Sequence, residues 1–334
     1  MTIMIRAAAT AAILSLCAGA TLSVCAGAAL ADPAVVYDSG GKFDKGFNES
    51  AYNGMEQFKK ETGTNYLEFE VQTDAQREQA FERFAQKGAD PIVGVGFSQE
   101  DAIKKVAPKF PKTRFVIIDS VIDLPNVQSI VFKEHEGSFL VGVLAAMASK
   151  TGKVGFVGGM DIPLIRRFEC GYAQGVKYAA SGDTVFQNMT GTTGAAWNDP
   201  TKGGELAKSQ FDQGADVVFA AAGATSLGVY QAAKDSGKLA IGVDSNQNHL
   251  HPGTMLTSMM KRVDVAVHGS VVGWKEGVTE LGLKEAGVDW ALDENNKPLV
   301  TDAMKAKVEA AKADIISGKI QVHDYVADNA CPTS

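Results

Sequence analysis

Val35-Val36-Tyr37-Asp38-Ser39-Gly40-Gly41-Lys42-Phe43-Asp44-Lys45-Gly46-Phe47-Asn48, running on through residues 49–57, is the stretch that decides the fold. Residues 35–37 are β-formers. Gly40 and Gly41 permit a sharp turn and a close backbone approach. Asn48 or Ser50 is placed to cap a helix that continues through Ala51, Met55 and Phe58. Strand, glycine loop and helix in that order put the loop at the carboxyl edge of a parallel sheet, where open α/β proteins bind ligands. The loop offers Asp38, Asp44, Phe47 and Asn48, one ring with several hydrogen-bonding groups.

The unit recurs. Val154-Gly155-Phe156-Val157-Gly158-Gly159 is again a strand ending in a glycine pair, and the helix after it holds Phe168, Tyr172 and Gly175. A second echo is sharper. Gly88-Ala89-Asp90 opens a strand, a helix follows, and Phe115-Val116-Ile117-Ile118-Asp119-Ser120 closes the unit. Gly214-Ala215-Asp216 opens another, and Leu239-Ala240-Ile241-Gly242-Val243-Asp244-Ser245 closes it. Matching starts and ends at matching spacing point to two similar α/β lobes with a cleft between them.

Residues 1–31 read as an export signal. Arg6 gives a positive start, residues 7–29 are small and apolar, and Ala29-Leu30-Ala31 is an A-x-A cleavage site. The mature chain then begins at Asp32, in the periplasm. Leu16 and Val24 precede Cys17 and Cys25, and neither is the small residue that lipid attachment requires, so the expectation is an unanchored protein. No later apolar run is long enough to span a bilayer.

The remaining chain is long enough for two domains of ordinary size. It is 45% hydrophobic and 21% charged, with a formal net charge of −7, which argues against a nucleic-acid partner. Cys170 and Cys331 remain after processing. They allow two readings: a disulfide that ties the carboxyl-terminal tail to the helix after Gly159, or two separate thiols.

Strands are expected at 66–71, 91–95, 115–118 and 126–132, with helices at 76–87, 101–107 and 137–149, the last rich in small residues. Residues 150–153 are the expected first crossing to the second lobe. Strands at 154–157, 184–188, 217–221 and 239–243 then alternate with helices at 164–180, 200–213 and 226–236. The strand 255–260 leads back across the hinge, followed by helices at 263–281 and 305–317 and a short strand at 321–325. Alternating strands and helices mean parallel sheets. The lobes are expected at 32–149 with 262–285, and at 150–261 with 286–334.

An enzyme reading has little support in the chain. There is no G-x-S-x-G elbow, and the glycine pairs lack the lysine and hydroxyl of a P-loop and the spacing of G-x-G-x-x-G. His249 and His251 lack a third metal ligand nearby, so no metal or cofactor is expected. His135 reads as part of a polar helix start, and Arg166-Arg167 as an anion clamp or a solvated helix face. Binding has more support. Asp119 and Asp244 end equivalent strands, so both should face the cleft. A carboxylate only accepts hydrogen bonds, which suits sugar hydroxyls and ring N–H groups and disfavours anions. The alternative is that each caps its following turn. Phe47 and Trp197 lie on loops, either stacking on a planar ligand or anchoring the loop by packing. Lys261, near the hinge, is placed to donate to a hydroxyl. Phe97, Phe168 and Gly223 complete the candidate ligand-binding set.

With these residues in view, the chain resembles the basic membrane protein family of substrate-binding proteins, which includes bacterial purine-nucleoside receptors. The resemblance runs over nearly all of the mature chain. It rests on residues 40–48, on Gly155-Phe156-Val157-Gly158-Gly159 with Phe168, Gly171-Tyr172 and Gly175-Val176-Lys177-Tyr178, on Trp197-Asn198-Asp199-Pro200, on Gly242-Val243-Asp244-Ser245-Asn246-Gln247 and on Thr257-Ser258-Met259-Met260-Lys261. It implies a type I periplasmic-binding-protein fold that serves the permease of an ABC importer, as a monomer. It implies that Phe47 and Trp197 stack on a purine, that Asp119 reads the base, and that Asp244 and Lys261 hold the ribose, neutralising each other. Many members of the family are lipoproteins, and the second stacking residue is often phenylalanine where this chain has Trp197. A sugar or another neutral polar signalling ligand on the same fold is the alternative.

Overall fold

Four consecutive apolar residues with no polar alternation mark a strand covered on both faces, and Ala34, Val35, Val36 and Tyr37 are all fully buried. They begin a computed structural model that describes residues 31–333. The expected export signal, with Cys17 and Cys25, lies outside the described residues apart from Ala31.

The first lobe runs β1 (Ala34–Tyr37), α1 (Phe47–Thr62), β2 (Leu67–Glu70), α2 (Ala75–Gln86), β3 (Ile92–Gly94), α3 (Glu100–Val106), β4 (Phe115–Ile118) and β5 (Val127–Phe132). Then follow α4 (Glu134–Ala148), β6 (Lys153–Met160), α5 (Pro163–Ala179), β7 (Thr184–Gly191), α6 (Pro200–Asp212), β8 (Val217–Ala221), α7 (Ser226–Asp235), β9 (Leu239–Asp244) and β10 (Met255–Lys261). The chain ends with α8 (Val263–Val272), β11 (Gly277–Leu281), β12 (Val288–Trp290) and α9 (Asp302–Ile316). The strands form two six-stranded sheets, ordered β11-β5-β4-β3-β1-β2 and β12-β10-β9-β8-β6-β7. Every pairing is parallel except β10 with β12.

The two orders superimpose position by position, so the repeat read from the sequence is real. The strands after Gly88-Ala89-Asp90 and Gly214-Ala215-Asp216 are β3 and β8, both fourth in order. The strands that end at Asp119 and Asp244 are β4 and β9, both third. Each sheet has a separate outer core: Phe81, Phe84 and Ile103 cover one, and Phe211, Val229 and Tyr230 cover the other. The remaining faces share one continuous apolar cluster, from Met55 and Val267 to Tyr172 and Phe219.

Three expectations are corrected, and one strand was not anticipated. Helix α4 packs on α5, β10 and α9, so it belongs to the second lobe and the first crossing lies at Phe132–Lys133, not near Lys150. The cause is steric. Gly142, Gly171 and Gly175 bring α4 and α5 main chain to main chain, and a Cβ at Gly175 would stand 2.0 Å from the Phe139 carbonyl oxygen. The expected helix 263–281 stops at Val272. Gly273 and Gly277, the latter with φ +88°, break it, and Val278 and Thr279 instead extend the first sheet beside β5. The short strand β12 gave no signal. The expected strand 321–325 is irregular, because the Gln174 side chain takes up both the N–H and the C=O of His323 at 2.8 and 2.9 Å in place of a ladder partner.

Cys170 and Cys331 form a disulfide, so the first of the two thiol readings holds. Among the described residues no helix is long and apolar enough to cross a membrane.

Replacing Gly175 by alanine gains about 1 kcal/mol of helix propensity. It forces a methyl group into a backbone that cannot rotate away, and overpacking typically costs about 1–3 kcal/mol. Gly175→Ala is expected to lower the urea midpoint clearly, whereas Gly182→Ala, with open space around it, leaves the midpoint in place. Equal midpoints for both variants would show that the α4–α5 contact can widen without cost.

Candidate functional site

A partly open cleft lies between the lobes, lined by residues of both. The first lobe contributes Asp38, Asp44, Phe47, Asn48, Phe97 and Asp119 to its lining; the second contributes Phe168, Trp197, Gly223, Asp244 and Lys261. All eleven candidates read from the sequence therefore meet in one place. Leu164 and Ile165, which give the cleft an apolar side, were not anticipated; on the sequence they are ordinary helix residues.

The loop after β1 is braced by its own polar groups. The Asp44 carboxylate accepts from the backbone N–H groups of Gly46, Asn48 and Glu49 at 2.9, 3.0 and 3.1 Å. Asp44 thus holds the start of α1, in place of the expected cap at Asn48 or Ser50. A carboxylate suits that position because the helix N-terminus concentrates unpaired N–H groups and positive partial charge. Asn48 accepts from the Asp38 backbone N–H at 2.9 Å and donates to Asp44, closing the loop on itself. Asp38 is occupied too: the buried Arg77 guanidinium lies 2.8 Å away and Ser98 donates to it at 2.5 Å. These three polar residues shape the wall that presents Phe47.

Rings stand on both walls. Trp197 lies flat on Gly159, where a Cβ would stand 2.1 Å from its ring, which accounts for the second glycine of the pair ending β6. Its loop is pinned by Thr190 and Thr225, whose hydroxyls donate to the Ala196 carbonyl at 3.0 and 2.8 Å. Across the cleft Phe97 meets Trp197 edge-on, with centroids 6.5 Å apart. Phe47, half-buried, has the Lys261 ammonium 5.1 Å from its ring centre, a cation–π distance. Phe168 is buried behind Lys261, 5.5 Å from it.

The charges are asymmetric. Asp119 (φ +70°) and Asp244 (φ +66°) both adopt the left-handed conformation immediately past the core of their strands, a strained position that Asp tolerates better than most residues. Lys261, 2% exposed, donates to Asp119 Oδ2 at 2.6 Å and sits 2.9 Å from Glu134 Oε1. Its hydrogen bond and close ion pairs are therefore with Asp119 and Glu134, not with Asp244 as expected. Glu134, fully buried at the start of α4 beside His135, was not among the candidates; its signal is a carboxylate beside the crossing. Burial pushes the Asp119 carboxyl up to about 6 against the pull of Lys261. Burial opposes ionisation of Glu134 as well, but Lys261 and Arg167 overcome it and hold the carboxyl below its usual range.

Asp244 is 7% exposed, and its carboxylate takes part in no hydrogen bond among the described residues. Burial, with Asp44 and Asp119 nearby, pushes it up to about 7 against Lys261. Asp119 Oδ1 is likewise buried without a hydrogen bond. The cleft thus presents two acceptor groups that the protein itself leaves unused.

The remaining candidates are spent elsewhere. Arg166 forks onto Asp161 and reaches Glu169, and Arg167 forks onto Asp324, so neither is an anion clamp or a free surface. His135 is buried, and burial drops its pKa to about 4. No group of three His, Cys, Asp or Glu residues able to hold a metal occurs among the described residues.

The chain matches the family described as ABC transporter substrate-binding protein PnrA-like across residues 31–325. It is 35% identical over 317 residues to the ABC transporter nucleoside-binding protein BmpA of Lactococcus lactis, covering 86% of this chain and 88% of that one. An uncharacterised lipoprotein of Pyrococcus abyssi is 39% identical over 285 residues, covering 78% of this chain and 69% of that protein. Because that relative is named a lipoprotein, the expectation of an unanchored protein draws no support from it. The crystal structure of an ABC transporter solute-binding protein from Aeropyrum pernix superimposes with a TM-score of 0.80 at 30% identity, covering 88% of this chain and 93% of that one. The type I periplasmic-binding architecture read from the sequence is thus the architecture of a solved solute-binding protein.

The raised Asp244 carboxyl has a defined effect on stability. Between the ordinary carboxylate range near 3.8 and about 7, the folded protein keeps a proton that the unfolded chain has released. Stability then falls as pH rises through that window. His135, depressed to about 4, acts in the opposite sense, so the informative quantity is a difference between two proteins. Ligand-free Asp244→Asn is expected to match wild type near pH 4 and to exceed it near pH 8 by on the order of 2–4 kcal/mol in urea denaturation. A difference that does not change with pH would show that Asp244 ionises normally.

Proposed function

The chain belongs to the PnrA-like family of ABC transporter substrate-binding proteins, and on that premise we propose that it is exported and delivers a nucleoside, most readily a purine nucleoside, to its importer. One observation underlies the reading: a cleft with aromatic rings on both walls and two carboxylates that the protein leaves unsatisfied. Flat faces suit a base. In their ionised form the two groups only accept hydrogen bonds, which suits ring N–H groups and sugar hydroxyls and repels phosphates, separating nucleosides from nucleotides. In this reading Phe47 and Trp197 stack on the base, Asp119 accepts from its edge, and Asp244 accepts from the ribose hydroxyls with Lys261 nearby. The printed name of the Lactococcus relative agrees with it.

Delivery requires opening and closing. Ser245 donates to the Gly46 carbonyl at 3.1 Å and Gln247 to the Lys45 carbonyl at 2.8 Å, both across the cleft. With Lys261 on Asp119 these bonds join the two walls, and ligand held by both lobes favours the joined form. Membership of a substrate-binding-protein family supports a binding role for the cleft.

Calorimetry with inosine, its 2′,3′-dideoxy counterpart and free ribose tests the reading. Stacking contributes about 1–3 kcal/mol per base by alanine substitution. Phe47→Ala and Trp197→Ala should each weaken inosine about ten-fold or more. A polar site rejects ligands that leave its groups unpaired, so dideoxyinosine should bind about a hundred-fold more weakly, and Asp244→Asn should erase most of that gap. Ribose binding more tightly than inosine would replace this reading with that of a sugar receptor.

A further inference from the structure

The carboxyl-terminal tail does not line the cleft, yet a chain of buried and partly buried ion pairs links the two. Arg167 of α5 forks onto Asp324 of the tail through Nε and Nη2, both at 2.8 Å. Its Nη1 donates to Glu134 Oε2 at 3.0 Å and to the Phe132 carbonyl at 2.9 Å, the last residue before the first crossing. Glu134, fully buried, spends its other oxygen on Lys261. Lys261 in turn fixes Asp119 Oδ2, leaving Oδ1 as the free acceptor of the cleft wall. We propose that the disulfide-tied tail is part of the binding apparatus, with Asp324 and Arg167 acting as positioning residues that set, through Glu134 and Lys261, where Asp119 stands and that it is ionised.

Three observations support this assignment, which rests on the reading that Asp119 faces the ligand. First, the links are directional. Arg167 and Glu134 each use different atoms toward their two neighbours, and the Lys261 ammonium bridges Glu134 and Asp119, so displacing one displaces the next. A planar guanidinium forked onto one carboxylate has its remaining N–H groups aimed in a fixed direction. Second, the tail is held on purpose-built contacts. The Cys170–Cys331 bond and the exchange between Gln174 and His323 anchor to the same helix as Arg167, one turn or two further along. Residues 321–324 form no ladder that would otherwise keep them there. Third, the charge balance is tight. Asp119, Glu134 and Asp324 face Lys261 and Arg167, with Asp244 on the opposite wall. Without Arg167, one buried cation would serve the whole cluster. Of the two carboxyls on Lys261, Glu134 is held low and Asp119 is raised, so Asp119 is the one of that pair to take up a proton, and a protonated Asp119 offers a donor where the ligand needs an acceptor.

Outer-shell carboxylates that orient metal-bound histidines lose about ten- to a hundred-fold in affinity when removed, and a comparable effect is expected here. Arg167→Met, Arg167→Lys, Asp324→Asn and the double variant Cys170→Ser/Cys331→Ser are each compared with wild type. The Asp119 carboxyl is titrated by carbon-13 NMR without ligand, inosine is titrated calorimetrically at pH 7, and circular dichroism confirms the fold. Arg167→Met should raise the Asp119 midpoint and weaken inosine; Arg167→Lys, which keeps the charge, should return the midpoint toward wild type. Asp324→Asn and the double serine variant should each weaken inosine about ten-fold while remaining folded. An Asp119 midpoint in Arg167→Met equal to that of wild type overturns the proposal. So does unchanged inosine affinity in both tail variants. Should wild type itself not bind inosine, the nucleoside reading fails, and the Asp119 midpoint still decides whether Arg167 controls that carboxyl.

Discussion

The ammonium group of Lys261 is where the architecture of this protein converges. An isolated buried ammonium is expensive, and such a group ordinarily sheds its proton. Here it keeps it, because Asp119 and Glu134 lie within 2.9 Å and three rings, of Phe47, Phe132 and Phe168, surround it at 5.0–5.5 Å. The residue ends β10, the last strand before the chain returns to the first lobe. It therefore ties one lobe's sheet to the other lobe's β4 and to the first turn of α4. Taking away either partner of a buried pair leaves an uncompensated charge, a loss of about 3–5 kcal/mol. The cleft, the hinge and the start of α4 are thus one electrostatic unit.

Much of this was legible in the sequence because it is local or repeated. Strands with both faces buried read as apolar runs, and β1, β4 and β8 announce themselves that way. The Gly-Ala-Asp starts and Asp-Ser ends revealed the duplication, and with it the topological edge where a ligand would sit. The candidate residues reached the cleft because nearly all lie at a strand end, on the loop that follows or at the start of the next helix; Phe168 lies within α5.

What the sequence hid is what depends on partners far along the chain. Helix α4 looks like a generic apolar helix; only the glycines of α5, some thirty residues later, decide which lobe it joins. Nothing local at Val278 says that an open sheet edge waits beside β5. Lys261 has a hydrogen-bond partner 142 residues away, so its pairing with Asp119 in preference to Asp244 could not be read from spacing. Asp38, Asp44 and Asn48 line the cleft, but their polar groups also bond one another, Arg77, Ser98 and the loop backbone, which spacing did not show. Polar residues crowded in a glycine loop satisfy the loop's own backbone first, since buried N–H groups left unpaired are costly.

The place of β11 in the first sheet bears on the order in which the molecule can be built. Strand β5 is complete at Phe132, but its parallel neighbour β11 arrives only at residues 277–281, and α8, which covers α1, only at residues 263–272. The nascent chain must emit the strands of the second lobe from β6 to β10 before the first lobe can close. Until then the first sheet has an unpaired edge and an uncovered apolar face, an incomplete state that cannot reach full stability. Folding of the amino-terminal half thus waits on the carboxyl-terminal third, and the two lobes become stable together.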